Sequence, residues 1–97
     1  MSSNLRRIVL DVLKPHKPAI HELATRLNDV KGVEGINIAL LEVDQDTSTV
    51  KITLEGVDID FDEITQRLTE AGTVIHSIDE VVAGKRIVEK TPTYHGE

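Results

Sequence analysis

Apolar residues recur along this chain with two different periods, and the changes between them divide it into six segments. Four segments place β-branched residues in runs or at every second position, as strands do, and they cover 5–13, 33–44, 49–55 and 74–82. The segments after the first and third of these repeat apolar residues every three or four positions, as helices do. The pattern therefore predicts the order β-α-β-β-α-β.

Turn and capping residues sharpen the limits of these elements. Pro18 is expected in the first turn of the first helix, and Gly32 is expected as its left-handed cap. Asp60, with Glu63 three residues later, has the spacing of a capping box at the start of the second helix. In the second strand the alternation changes phase at 39–41, which predicts a β-bulge.

Two right-handed crossovers with a hairpin between them predict an α+β fold of the ferredoxin-like kind. The four strands are expected to form an antiparallel sheet in the order 4-1-3-2, with both helices on one face. We expect a single domain, 1–97, with an ordered core at 5–89 and a flexible tail at 91–97. The other sheet face is bare, yet Val9 and Leu13 point toward it, so we expect a homo-oligomer.

The last apolar run is longer than this sheet requires. Residues 74–82 would cross a sheet of ordinary strand length, but β-branched residues continue almost to Glu89. Residues 84–89 either pair with a neighbouring subunit or fold back on their own sheet. The open sheet face and this long last strand are the expected contacts of the homo-oligomer.

Composition narrows the classes of partner. The net charge is −6, from 17 acidic and 11 basic residues, which argues against nucleic acid, because its phosphates need a basic surface. There is no cysteine, so disulfides, thiolate catalysis and cysteine-type zinc sites are excluded. No apolar stretch has the length of a signal sequence or a membrane span, so we expect a cytoplasmic protein without a membrane partner.

Five stretches, which together cover nearly the whole chain, match a known family: 6–16, 32–37, 41–44, 53–56 and 76–85. Through them the chain resembles an archaeal family of small conserved proteins of unknown function with a ferredoxin-like fold. The resemblance implies an archaeal cytoplasmic protein that assembles as a symmetric oligomer. It brings no assigned activity and no catalytic residues.

Four polar residues lie in the first and last strands, which this topology makes neighbours. Asp11 interrupts an otherwise apolar strand, and His76, Asp79 and Glu80 lie in the last strand. Asp11 is expected on the open face close to one or more of them, but alternation does not fix the register, since His76 and Asp79 normally point to opposite faces. A carboxylate with an imidazole can bind a divalent cation or move a proton. Alternatively, these groups pair across a subunit interface, where a buried acid needs a partner.

Two other acidic groups have the spacing of a cation loop. Asp58, Asp60 and Asp62 lie at alternate positions, and Asp44 and Asp46 lie in the predicted hairpin turn. Their oxygens are ligands that suit Ca²⁺ or Mg²⁺. The other interpretation is structural, because acids favour the first turn of a helix and bond the backbone of turns.

The favoured interpretation is a non-enzymatic, homo-oligomeric module that binds a small ligand or a divalent cation, Ca²⁺ or Mg²⁺, with regulation as one use. Two alternatives stay open. One is a small enzyme in which Asp11 and His76 act as acid and base at a subunit boundary. The other is a scaffold on which other proteins assemble.

Overall fold

The computed structural model describes residues 4–92, and its elements follow the predicted order. They are β1 (Leu5–Pro15), α1 (Ile20–Asn28), β2 (Val33–Val43), β3 (Thr47–Gly56), α2 (Phe61–Glu70) and β4 (Val74–Ala83).

The four strands form one sheet in the order β2-β3-β1-β4, and every neighbouring pair is antiparallel. The βαββαβ ferredoxin-like fold and the order 4-1-3-2 are thus confirmed. The molecule measures 44 × 39 × 17 Å along its principal axes, and the short axis suits one sheet covered by one layer of helices.

The core lies between the sheet and the helices. Alternate residues of β1 and β3 point into it, because successive side chains of a strand point to opposite faces. Each fully buried aliphatic side chain stabilises the fold by roughly 2 kcal/mol. The largest contributors are Ile8, Leu10, Val12, Leu23, Leu27, Val50, Ile52, Leu54, Ile59, Ile64 and Leu68, all at most 1% exposed.

The remaining residues of β1 and β3 form the uncovered side of the sheet. We call this the open face, and it comprises Arg7, Val9, Asp11 and Leu13 of β1 with their partners Glu55, Thr53, Lys51 and Thr49 of β3.

The first helix begins two residues later than predicted. It starts at Ile20 with Ala19 as its N-cap, so the placement of Pro18 in the first turn was wrong. The carboxylate of Glu22 accepts a hydrogen bond from the backbone N–H of Ala19 at 3.0 Å, which satisfies an amide at the start of the helix.

The buried ammonium of Lys14 explains this later start. Its Nζ donates to the carbonyl oxygens of Pro15, His16 and Pro18 at 2.8, 3.3 and 2.6 Å. Because these three carbonyl groups all point to the Lys14 ammonium, residues 15–18 form a loop around it, and the helix begins only after that loop. Burial lowers the pKa of this lysine.

Gly32 has the predicted left-handed conformation, with φ of 92°, but it does not cap a helix. Helix α1 ends at Asn28, and Gly32 instead lies against the backbone of Asp58 and Ile59, where a Cβ atom would not fit. The prediction of a helix cap was therefore wrong, and close packing between two backbone segments accounts for the glycine.

Asp60 caps α2 as predicted, because its Oδ1 accepts from the backbone N–H of Glu63 at 3.1 Å. The carboxylate of Glu63 forms an ion pair with Arg67 at 2.6 Å.

The β-bulge in β2 is also confirmed, since Leu40 and Glu42 are opposite consecutive residues of β3 and Leu41 is the extra residue.

Strand β4 ends at Ala83, and the chain then folds back. Gly84 turns it with φ of 112°, and the Arg6 guanidinium donates to the carbonyl oxygen of Lys85 at 2.7 Å. The Arg7 guanidinium then lies 3.1 Å from the carboxylate of Glu89. We call residues 84–92 the return segment. Of the predicted tail, 93–97 lie outside the described residues.

Candidate ligand site on the open face

Opposite charges lie across from each other on the open face. Arg7 is opposite Glu55, at 2.7 Å between Nε and Oε2, and Asp11 is opposite Lys51 in the register of β1 and β3. Directly opposed side chains of opposite charge stabilise an antiparallel pair. The polar groups of this face are therefore positioned by the register of its two central strands.

Two bulges in β4 decide what joins Asp11. Asp11 and Val12 are opposite Ser77 and Ile75, which leaves His76 as an extra residue. One step further along, a second register shift leaves Asp79 as an extra residue between the partners of Val9 and Leu10. A bulge re-aims a side chain. Both His76 and Asp79 therefore reach the open face, which strict alternation would forbid.

Asp11 and His76 line one pocket of about 300 Å³, together with Leu13 and Thr49. The Oδ1 atom of Asp11 is buried and has no hydrogen-bond partner. A buried carboxylate oxygen without a donor is costly. The pocket thus combines an unsatisfied acceptor, an imidazole, a hydroxyl and an apolar wall.

The neighbouring cation, Lys51, is already bonded elsewhere. Its Nζ lies 2.7 Å from Oδ2 of Asp79, and the Ser77 hydroxyl donates to Oδ1 of Asp79 at 2.7 Å. The hydrogen bond between Lys51 and Asp79 raises the pKa of the lysine, as does the charge of Asp11 to a smaller extent. The same hydrogen bond is the largest cause that lowers the pKa of Asp79, and the hydrogen bond from Ser77 is the second largest.

Glu80 also pairs with a basic side chain outside the pocket. It is opposite Val9, and its carboxylate lies 3.6 Å from the Arg7 guanidinium. Hydrogen bonds to Glu89 and Glu55 raise the pKa of Arg7, and Arg7 in turn lowers the pKa of Glu89. Of the four predicted strand residues, the structure therefore brings Asp11 and His76 together in the pocket and gives Asp79 and Glu80 basic partners.

The other predicted acids lie apart from this pocket. Asp60 caps α2, and Asp62 is an exposed residue in the first turn. Asp58 has a left-handed backbone, with φ of 53°, and its Oδ1 accepts from the backbone N–H of Asn4 at 3.1 Å. Asp44 and Asp46 are exposed at the β2–β3 turn. Within residues 4–92, no three His, Asp or Glu side chains are placed to surround one metal ion.

Three residues near Asp11 were not among the predicted site residues: Leu13, Thr49 and Lys51. The signal was present, because the hairpin register places them on the same face as Asp11. A second open-face depression of about 290 Å³, beside the bulged part of β2, was not predicted either. Its lining residues are Gly35, Ile36, Asn37, Thr53 and Glu55.

The stretches that carry the resemblance described above all fall within one family match. The profile of the DUF211 family, described as uncharacterized ArCR, matches residues 6–97. The chain belongs to this family. The DUF211 description names no ligand and no reaction.

A curated archaeal protein resembles this DUF211 chain along nearly all of its length. It is the uncharacterized protein MJ0319 of Methanocaldococcus jannaschii, which is 50% identical to this chain over 91 residues. The aligned region covers 94% of each protein.

Neither of the two helices in residues 4–92 has the length and apolar character that a bilayer crossing requires.

Proposed function

We propose that this chain is a homo-oligomeric module that binds a small ligand or a divalent cation in the pocket of Asp11 and His76. The observation that carries the proposal is the buried Oδ1 of Asp11, which lines the pocket and lacks a donor. A bound cation, or an N–H group of a ligand, would give this oxygen the positive charge or hydrogen-bond donor that the protein does not provide. A cytoplasmic location and a regulatory use belong to the same proposal, and they rest on composition and fold.

The donors suit a hydrated or mixed-ligand ion. Mg²⁺ keeps several waters and is held by one or two carboxylates, whereas Ca²⁺ needs more protein oxygens. Asp11 and Thr49 provide oxygens, and neutral His76 provides nitrogen, the ligand that transition metals prefer. Leu13 forms an apolar wall that would pack against the carbon atoms of an organic cation.

Titration calorimetry with MgCl₂, CaCl₂ and methylammonium chloride tests the proposal. Asp11→Asn keeps the shape of the side chain and removes its charge, so binding of the active probe should weaken at least about tenfold, as the loss of roughly 1.4 kcal/mol would give. Asp46→Asn removes an exposed acid at the hairpin tip and should leave binding unchanged. Equal binding by Asp11→Asn and the parent protein, or no binding of any probe at millimolar concentration, would overturn the assignment.

One observation keeps the enzyme alternative open. Asp11 and His76 share a pocket, as an acid and a base at one reaction centre must. An enzyme would turn over a generic ester or phosphate ester, and His76→Gln would abolish that activity. A pure binding module would turn over neither substrate, whatever residue occupies position 76.

A further inference from the structure

Both outer strands of the sheet have exposed backbone edges. Within residues 4–92, β2 and β4 each have one neighbouring strand. They are 11 and 10 residues long, about twice the usual strand length, and neither contains proline. Such an edge presents a row of N–H and C=O groups that another strand can pair with.

The β4 edge exposes apolar side chains on the side of the helices. Ile75, Ile78 and Val81 are opposite buried residues of β1, so they share the helix side of the sheet. Ile78 is 51% and Val81 54% exposed. A groove of about 350 Å³ runs between this strand and α2, where Thr65 and Leu68 line it. The helix layer therefore stops short of the β4 edge.

The β2 edge exposes a matching set on the same side. Leu40 and Val43 are opposite the buried residues Val50 and Ser48 of β3, yet they are 50% and 59% exposed. The helix layer also leaves this end of the hairpin uncovered. Each edge therefore offers an exposed backbone with apolar side chains on the helix side.

The acids of β4 do not protect its edge. Charged side chains are a usual means of preventing edge pairing. Here Asp79 and Glu80 lie on the open face, where Lys51 and Arg7 of the same sheet neutralise them. A strand that approached the edge would meet backbone and apolar groups.

Strand directions make the two edges compatible. Every neighbouring pair in the sheet is antiparallel, so β2 and β4 run in opposite directions. We propose that β4 of one copy pairs with β2 of a second copy in the same orientation, which extends the antiparallel sheet from copy to copy. This deepens the homo-oligomer part of the proposed function and rests on it. The registers place Leu40 level with Ile75, so Leu40 of the second copy would pack beside Ile75 at the groove along α2, and the exposed Ile78 would lie one row further along the same contact.

The contact is head-to-tail, because it uses two different surfaces of the chain. An open assembly of any length keeps one unpaired β2 edge and one unpaired β4 edge, so growth ends only when a ring closes. A two-fold contact of β4 with β4, or of β2 with β2, would leave the other apolar edge exposed. The head-to-tail arrangement covers both.

Two variants, one on each edge, test the proposal. Ile78→Lys places a charge on the β4 edge, and Leu40→Lys does the same on β2. Both positions are half exposed, so the fold should survive, which circular dichroism checks. We expect light scattering after size exclusion to give the parent protein as an oligomer and each variant alone as a 10.7 kDa monomer.

Mixing the two variants gives the decisive measurement. The Ile78→Lys chain keeps an intact β2 edge, and the Leu40→Lys chain keeps an intact β4 edge, so the mixture should form a species of about twice the 10.7 kDa subunit mass and no larger. His21→Lys, which adds a charge at an exposed position of α1 outside both edge strands, serves as the control and should leave the oligomer intact.

Other outcomes overturn the head-to-tail contact in distinguishable ways. A variant that still dimerises alone would show a two-fold contact through its intact edge. An oligomer that neither variant disrupts would leave the homo-oligomer proposal standing and place its contact on the open face. A monomeric parent protein would overturn the edge contact and the homo-oligomer together, while cation or ligand binding by Asp11 would stand as a separate question.

Discussion

Asp11 differs from its neighbours in β1 because its carboxylate shares the open face with apolar Val9 and Leu13. Its cross-strand partner, Lys51, is drawn away by Asp79, which leaves one Asp11 oxygen without a donor. The sequence predicted an unusual acid on this face, because an apolar strand makes an acid conspicuous. It could not predict the missing partner, which depends on a competing contact from a third strand.

Two glycines should differ in how far substitution by alanine lowers the stability of the protein. A Cβ at Gly56 would overlap the backbone of Gly32, whereas a Cβ at Gly35 would meet nothing within 4 Å. We expect Gly56→Ala to destabilise the protein by about 3 kcal/mol, because backbone atoms cannot move aside as a side chain does. Urea denaturation measures this. Gly35→Ala is the control, and equal stability of the two variants would contradict the close approach.

Lys14 shows the limit of residue-level prediction. A lysine after a run of strand residues is typical of a strand end at the surface, yet this one is 2% exposed and bonded to three carbonyls. Those acceptors belong to a loop whose path no local pattern specifies. Lys14 continues the buried series of Leu10 and Val12, but the predicted strand ended at residue 13, so neither its buried position nor the partners of its ammonium were predicted.

Among the elements, the return segment depends most on charge. Arg7 lowers the pKa of Glu89, so this ion pair is fully formed above the ordinary glutamate value of about 4.3 and is lost as pH falls through the lowered value. We therefore expect residues 84–89 to lie against β1 at pH 7, with high ¹⁵N heteronuclear NOE values, and to become mobile progressively below about pH 4.

Glu89→Gln should lower the NOE values of 84–89 at pH 7 as well. The same chain with Glu34→Gln, which removes an acid outside this contact, should behave like the parent protein. High salt should also lower these NOE values, because the Debye length falls to about 3 Å at 1 M. High NOE values that are indifferent to Glu89, pH and salt would show that other contacts, such as the hydrogen bond from the Arg6 guanidinium to the Lys85 carbonyl, retain the segment.

Strand β4 was the element that sequence described least well. Its helix-side residues, Ile75, Ile78 and Val81, recur every third position, because a bulge residue intervenes in each interval. A period of three belongs to neither a regular strand nor an ordinary helix, so alternation placed the strand but could not assign its faces. In β1 and β3, which have regular alternation where they pair, both the strands and their faces were predicted.

For the whole molecule, assembly should appear as a stability that depends on protein concentration. Partners that bind only the folded chain raise its unfolding temperature by mass action. A tenfold rise in concentration adds up to about 1.4 kcal/mol per subunit, which for a domain of this size is a shift of several degrees. Differential scanning fluorimetry of the parent protein should show this shift, and Leu40→Lys should remove it. A midpoint that stays constant in both proteins would argue for a monomer.

The two bulges of β4 also bear on how the length of this strand can vary. Because His76 and Asp79 are extra residues, removing either one would restore regular pairing with β1 and keep every other residue of β4 on its present face. A one-residue deletion away from the two bulges would reverse the faces of the residues that follow it. Gaps at these two positions in related sequences would thus mark chains that keep the fold and lack an imidazole or a carboxylate on the open face.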